Sequence, residues 1–220
     1  MGAAPNLMVV IPALNEASTI SEVVTGALAA AGGVIVVDDG STDGTGEISR
    51  RAGAHVIRHE APRGYDAAIS EGLNAAFGRN SIAVVTLDAD GQHRIEDMIR
   101  VSTPVVSGEV AFCAGVRSRF NRPIEVLIGL MSAVVFGTKD PFCGLKCYHR
   151  KLYEIHGPFP PSLNIQTLPL AWVRKDRLQH RFEPIVVKPR MDQPRFGPML
   201  RASVRLLLAF LRTLWIFLKS

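Results

Sequence analysis

Val34-Ile35-Val36-Val37-Asp38-Asp39-Gly40-Ser41 sets four consecutive β-branched residues directly before two acids and a glycine-bearing turn. An unbroken apolar run of this kind fits a strand buried on both faces, as in a parallel sheet covered by helices. Ala83-Val84-Val85-Thr86-Leu87-Asp88-Ala89-Asp90 repeats the pattern, an apolar strand running into carboxylates. Around these two segments, strand-like and helical stretches alternate: Met8 to Ile11, Ala17 to Ala31, Val34 to Val37, Thr45 to Ala52, Ala54 to Ile57, Tyr65 to Phe77 and Ile82 to Leu87. Such alternation predicts a three-layer, Rossmann-like α/β fold around a mostly parallel central sheet. In open sheets of that kind the ligand crevice lies outside the carboxyl ends of the strands, so the acids of both segments are expected in one cleft. Beyond Asp97 the pattern loosens. Val110 to Val116 reads as a strand, Ile124 to Gly137 as a helix and Val186 to Lys188 as a late strand. Phe159 to Pro161 and Pro184 to Pro198 read as irregular, Pro-rich connections.

A chain of 220 residues with 47% apolar content can bury one substantial core, so one domain with a tail is expected. The net charge of +5 is too small to argue for nucleic acid unless the cations cluster, and they do so only at the C-terminal end. Cys113, Cys143 and Cys147 match no zinc spacing, and their odd number favours free thiols in a reducing compartment. Met1 to Leu7 has no basic stretch of the kind that opens a signal peptide, which points to a cytoplasmic location. Ile124 to Gly137 is apolar but too short to cross a bilayer, and reads as a buried or interfacial helix.

Two motifs carry chemistry. After the first strand pattern, a turn with a helix-capping acid accounts for Gly40, Ser41 and Asp43, but not for two adjacent acids at the strand end. A carboxylate there can accept from a nucleobase N–H or a ribose hydroxyl. After the second, Asp88, Asp90 and Gln92 fall on one side if the run is extended, giving three oxygen ligands to Mg²⁺ or Mn²⁺. A cation so held would bridge the phosphates of a nucleoside-diphosphate sugar and stabilise the departing diphosphate. A lone Asp-x-Asp is more often a solvated loop; the buried strand before it and a third ligand in step favour the metal. A dinucleotide-binding dehydrogenase is disfavoured, because Pro12 and Asn15 stand where its glycines would follow the first strand.

Val10-Ile11-Pro12-Ala13-Leu14-Asn15-Glu16, Val37-Asp38-Asp39-Gly40-Ser41-Thr42-Asp43-Gly44-Thr45 and Leu87-Asp88-Ala89-Asp90-Gly91-Gln92-His93 follow one another as the signatures of family-2 glycosyltransferases do. Over roughly residues 7 to 200 the chain resembles that family's polyprenyl-phosphate sugar synthases of the dolichol-phosphate mannose synthase type, which use a GT-A fold. The resemblance implies a nucleotide pocket of Pro12, Ala13, Glu16, Asp39, Arg63, Asp88 and Ala89, and a metal on Asp88, Asp90 and Gln92. Gly115-Val116-Arg117-Ser118-Arg119-Phe120 resembles the family's Gly-Ser-Arg element, so Arg117 and Arg119, with Arg122, would hold an anionic acceptor; a solvated basic loop is the plainer reading. Asp88, Asp90 and Arg117 would then be the catalytic set. Asp140-Pro141-Phe142-Cys143-Gly144-Leu145-Lys146 is similar to Asp-x-x-Ser-Gly-Phe-Arg with Cys143 at the serine, and Arg195 keeps the cation of a loop whose glycine and serine are gone.

Where many members carry an acid pair as general base, this chain has Leu163-Asn164-Ile165-Gln166-Thr167-Leu168. A phosphate monoester is already an anionic nucleophile and needs no such base, which favours a polyprenyl phosphate acceptor. Transfer to a sugar or protein hydroxyl, with Asp140 or Asp176 as base, and an idle nucleotide-sugar binding module are the alternatives. At roughly 100° per residue, Arg201, Arg205, Arg212 and Lys219 form one narrow stripe on an otherwise apolar helix. The expected organisation is a glycosyltransferase domain over residues 1–200 and a basic amphipathic helix over 201–220. That helix would lie on the anionic inner face of a membrane, or else pack on the core.

Overall fold

The computed structural model describes residues 4–118, 123–161, 164–188 and 199–219, and of residues 199–202 the backbone only. Along the chain run β1 (Ala4–Ala13), α1 (Ile20–Leu28), β2 (Ala31–Asp38), α2 (Thr45–Arg51), β3 (His55–Arg58), α3 (Tyr65–Gly78), β4 (Ala83–Thr86) and α4 (Ile95–Val106). There follow β5 (Phe112–Arg117), α5 (Pro123–Phe136), β6 (Lys146–His149), α6 (Arg150–His156), α7 (Leu168–Lys175), β7 (His180–Ile185) and α8 (Met199–Leu218). The strands form one sheet in the order β3-β2-β1-β4-β6-β5-β7. Only β6 runs antiparallel to its neighbours, so the sheet is mostly parallel, as the alternation predicts.

The apolar strands feed two cores at once. Val9, Ile11, Val34, Val36 and Val85 point to one face, Val10, Ile35, Val37 and Val84 to the other. Each such side chain removed from water contributes about 1.5–3 kcal/mol, which is why Val34 to Val37 and Ala83 to Val85 carry no polar residue before the strand ends at Asp38 and Thr86. The order in which strands are added reverses at β1, with β2 on one side and β4 on the other, both parallel to it. The loops after these three strands therefore open onto a common crevice.

The second half departs from expectation. The late strand is β7, ending at Ile185, and not Val186 to Lys188. β7 is the sheet's edge, and the edge tolerates Arg181, Glu183 and Pro184, residues that hide a strand in the sequence. α4 occupies the stretch where the pattern loosens, its Pro104 sitting two residues from the end. The three cysteines are free and buried. Burial pushes the thiols of Cys113 and Cys143 up to about 12, so both stay protonated and inert.

α8 is part of the domain's packing and not a detached tail. Phe210 is fully buried and meets Phe136 of α5 edge-on at 6.1 Å, with Phe217 5.5 Å from the same ring. Thr213 is buried too, 2.6 Å from Thr167 and accepting from Asn164 Nδ2 at 3.1 Å. The packed-helix alternative thus holds for one face of α8. Its opposite face exposes Val204, Leu208, Leu211, Trp215 and Leu218 beside the exposed cations Arg205, Arg212 and Lys219.

Candidate active site

The ends of β1 and β2 are stitched into one wall. Pro12 and Ala13 close β1 opposite Val37 and Asp38, and Ala13 O accepts from Asp39 N at 2.8 Å. Asn15, held at φ 51°, donates its N–H to Ser41 Oγ and accepts from Thr42 N, at 2.8 and 2.9 Å. Glu16 is buried and donates its N–H to Thr45 Oγ1 at 2.8 Å. The two acids after β2 divide the work. Asp38, fully buried, accepts from Ser41 N at 2.9 Å and faces Arg58 at 3.2 Å, so it shapes the turn. Asp39 accepts from the backbone N–H of Arg63 and of Gly64, both at 2.8 Å, and lies 2.6 Å from His59 Nδ1. Its carboxylate is mostly engaged by the chain itself, at the Arg63–Gly64 turn. Gly64 has φ +97°, a conformation open to glycine and strained for other residues, and it caps α3. Arg63 extends into solvent, 3.5 Å from Glu71.

Asp88, Ala89, Asp90 and Gly91 do not form the extended run on which the alternation argument rests. β4 ends at Thr86, and the acids sit on a turn with Gly91 at φ +70°. Asp90 Oδ1 accepts from Gln92 N at 3.1 Å, and Gln92 Nε2 donates to Lys188 O at 2.9 Å, which turns the amide oxygen the other way. Thr19 Oγ1 pins the turn to the start of α1 by donating to the carbonyl of buried Ala89 at 2.7 Å. Asp88 remains 32% exposed and accepts from Tyr65 Oη at 3.0 Å, with His93 Nε2 at 3.2 Å from its other oxygen. Burial alone would raise the Asp88 pKa, but the bonds from His93 and Tyr65 and the nearby Lys146 charge hold it below the usual carboxylate range. Tyr65, pushed well above 10 by burial and by Asp88, stays a phenol donor. Against Asp88 lies Gly144, whose carbonyl accepts from Thr86 Oγ1 at 2.6 Å.

Asp88, Asp90 and the Gln92 oxygen are hard donors suited to Mg²⁺ or Mn²⁺. Among the described residues no group of three or more His, Cys, Asp or Glu could hold a metal ion. Two carboxylates with one amide would suit a cation that takes its remaining ligands from water and substrate phosphate, and not a closed protein cage.

On the acceptor side the sequence-based roles shift. Arg117 is only 16% exposed, and its Nε and Nη2 form a fork on Asp140 at 2.7 and 2.8 Å, with Glu125 at 3.2 Å. These bonds outweigh burial and keep the guanidinium firmly charged. Asp140 is therefore an ion-pair partner and not a base, and Arg117 is committed to it before any substrate arrives. Asp176 lies 2.7 Å from His156, at the end of α7. Asn164 and Thr167 hold α8, in the stretch where the family's acid pair would stand. Lys146, buried on β6, donates to Cys143 O. Arg119, Arg122 and Arg195 lie outside the described residues. Sequence reasoning missed His59, Glu71 and Tyr65, whose partners are distant in the chain, and His93, which carried a signal as the neighbour of the acidic motif, only five residues from its partner Asp88.

A mostly parallel sheet between two helical layers, with acids at the ends of β2 and after β4, is the GT-A glycosyltransferase arrangement. This chain belongs to Glycosyl transferase family 2, whose profile matches residues 8–134. An uncharacterized protein of Methanocaldococcus jannaschii is 39% identical over 102 residues, 46% of this chain and 42% of that protein. UDP-N-acetylglucosamine–dolichyl-phosphate N-acetylglucosaminyltransferase of Methanococcus voltae is 30% identical over 137 residues, 54% of each chain. The chain thus spans about half the length of the curated relatives it matches. Glucosyl-3-phosphoglycerate synthase of Mycobacterium tuberculosis, crystallised with Mn²⁺, UDP and glucosyl-3-phosphoglycerate, is similar with a TM-score of 0.74 and 25% identity, covering 93% of this chain and 78% of that one.

Proposed function

We propose that this glycosyltransferase moves a sugar, with inversion, from a nucleoside-diphosphate sugar to a polyprenyl phosphate at a membrane surface. The single observation that carries the acceptor is the outer face of α5 and α8. α5 exposes Val126, Leu127, Leu130 and Val134, the last at 84%, and α8 adds Leu208, Trp215 and Leu218 next to Arg205, Arg212 and Lys219. Lys219 Nζ sits 4.3 Å above the Trp215 ring, a pairing suited to the headgroup depth. Among the described residues no helix is long and apolar enough to cross a membrane. An apolar face edged by cations suits a helix lying in the headgroup region. α8 then serves both as core, through Phe210 and Thr213, and as interface, and the anionic cytoplasmic leaflet suits Arg205, Arg212 and Lys219.

In the cleft, Pro12, Ala13, Glu16, Asp39, Arg63 and Ala89 would frame the nucleoside. Asp88, Asp90 and Gln92 would hold a divalent metal, which supplies Lewis-acid stabilisation of the departing diphosphate when bound. The M. tuberculosis neighbour, with its Mn²⁺ and UDP, supports both assignments. Tyr65 and His93 fix the Asp88 carboxylate, so little reorganisation remains for binding. Arg117 holds the acceptor-side loop through Asp140 and Glu125, and with both acids engaged the site suits an acceptor that needs no base. The dolichyl-phosphate transferase of M. voltae supports that class. A second reading, transfer to a small phosphorylated hydroxy acid, is favoured by the phosphoglycerate-derived product in the M. tuberculosis structure.

The test is transfer from labelled nucleotide sugars, with Mn²⁺, to polyprenyl phosphate in anionic vesicles. The wild type should float with the vesicles and label the lipid. Leu208→Ser/Leu211→Ser/Trp215→Ser should bind nucleotide as before yet transfer far more slowly. Equal transfer by this variant would remove the membrane face from the account.

A further inference from the structure

His59 directly follows β3 and faces two carboxylates from different elements. Its Nδ1 lies 2.6 Å from Asp39 Oδ1, after β2, and its Nε2 2.8 Å from Glu71 Oε2, on α3, with the ring 2% exposed. Only the doubly protonated ring can donate at both nitrogens. A neutral ring has one N–H, so loss of a proton sets a lone pair against a carboxylate oxygen at less than 3 Å, and one contact must open. The other charges nearby do not substitute for it. Arg63 reaches only Glu71, at 3.5 Å from the surface, and Arg58 is turned to Asp38. Burial pulls the imidazolium pKa down, but the bonds to Asp39 and Glu71 and their charges more than reverse this, so it is raised.

The pair of contacts leads to the donor site by a short path. Asp39 holds the N–H groups of Arg63 and Gly64, Gly64 caps α3, and Tyr65, the first residue of α3, donates to Asp88. We propose that His59 is a positioning residue for the donor: as imidazolium it locks Asp39 to Glu71 and thereby the Arg63–Gly64 turn, and its deprotonation loosens that turn and weakens nucleotide binding. The inference rests on the reading of this cleft as a nucleotide-sugar site. Because the folded-state pKa is raised, the stabilisation is complete below the unfolded histidine value of about 6.5 and is lost as pH rises through the folded value.

The experiment pairs two readouts on the full chain. Histidine ring NMR, with His59 assigned through its own backbone resonances, gives its titration midpoint; calorimetry gives the Kd, with Mg²⁺ from pH 6 to 9, of whichever of UDP, GDP, CDP and dTDP binds. Affinity should fall about tenfold across the His59 midpoint, the scale of one charge-assisted hydrogen bond. Glu71→Gln, which removes one partner charge, should move the NMR midpoint and the binding midpoint down together. A purely structural histidine would leave the folded wild type's affinity flat through that titration, which overturns the inference while the nucleotide site stands. No binding of UDP, GDP, CDP or dTDP at any pH would overturn the nucleotide reading and this inference with it.

Discussion

Gly144→Ala is the sharpest probe of the acidic turn. A Cβ at this position would stand 2.2 Å from Asp88 Oδ2, 2.5 Å from Oδ1 and 2.6 Å from Cγ, so it meets the whole carboxylate and not a flexible tip. Ordinary contact begins near 3.4 Å, and Asp88 must therefore shift by about 1 Å or the β6 approach must open. The second route is resisted by Thr86 Oγ1, which holds the Gly144 carbonyl at 2.6 Å. Overpacking of this kind costs about 1–3 kcal/mol of stability. A displacement of about 1 Å at a reacting centre costs about a hundredfold in turnover, and the Tyr65 and His93 bonds to Asp88 would break with it. Calorimetry of UDP with Mn²⁺ and a urea unfolding curve separate the two effects. Binding should weaken at least about tenfold, a difference of about 1.4 kcal/mol, while the domain stays folded. Gly78→Ala, where an added Cβ meets nothing within 4 Å, is the control and should bind normally. Wild-type, Mn²⁺-dependent affinity in Gly144→Ala would refute the argument that the Asp88 position matters.

Asp90→Asn should lose most Mn²⁺-dependent UDP affinity with an unchanged unfolding midpoint, since Asp90 sits on a half-buried turn; unchanged binding would take Asp90 out of the metal site. Asp140→Asn should cost about 3–5 kcal/mol, because it leaves the Arg117 cation buried beside Glu125 alone, and an unshifted urea midpoint would contradict the ion-pair reading. Asp66 has its pKa raised to about 6 by burial, against the opposing pull of Arg205 at 3.3 Å. The folded state therefore holds this proton more tightly than the unfolded one, and the carboxylate destabilises the fold increasingly as pH rises from about 4 to 6. The difference in urea midpoint between wild type and Asp66→Asn should change across that window and level off above it; a constant difference would show that Asp66 titrates normally.

The half of the sheet around β1 was readable because β1, β2 and β4 are covered on both faces, so Val34 to Val37 and Ala83 to Val85 show no polar interruption. β6 hid itself by carrying a buried lysine, Lys146, and by being four residues long. β7 lies at an edge, where charge and proline are tolerated. The paired acids were visible, but their geometry was not: alternation presumes an extended chain, and Gly91 turns it. His59 gave no signal because its partners, Asp39 and Glu71, come from two other elements. For α8 the basic stripe was correct arithmetic, yet the apolar arc divides between core and open face, and the clue was Thr213, a hydroxyl buried among apolar neighbours to reach Thr167 and Asn164.

The central claim is that Asp88 and Asp90 support transfer to a lipid phosphate. It is tested most directly by offering one labelled nucleotide sugar, with Mn²⁺ and the full chain, to polyprenyl phosphate vesicles and 3-phosphoglycerate together, then partitioning the products. For the nucleotide sugar that binds, the account predicts label in the organic phase, lost in Asp90→Asn. Label confined to the aqueous phase, or lipid labelling undiminished in Asp90→Asn, would contradict it.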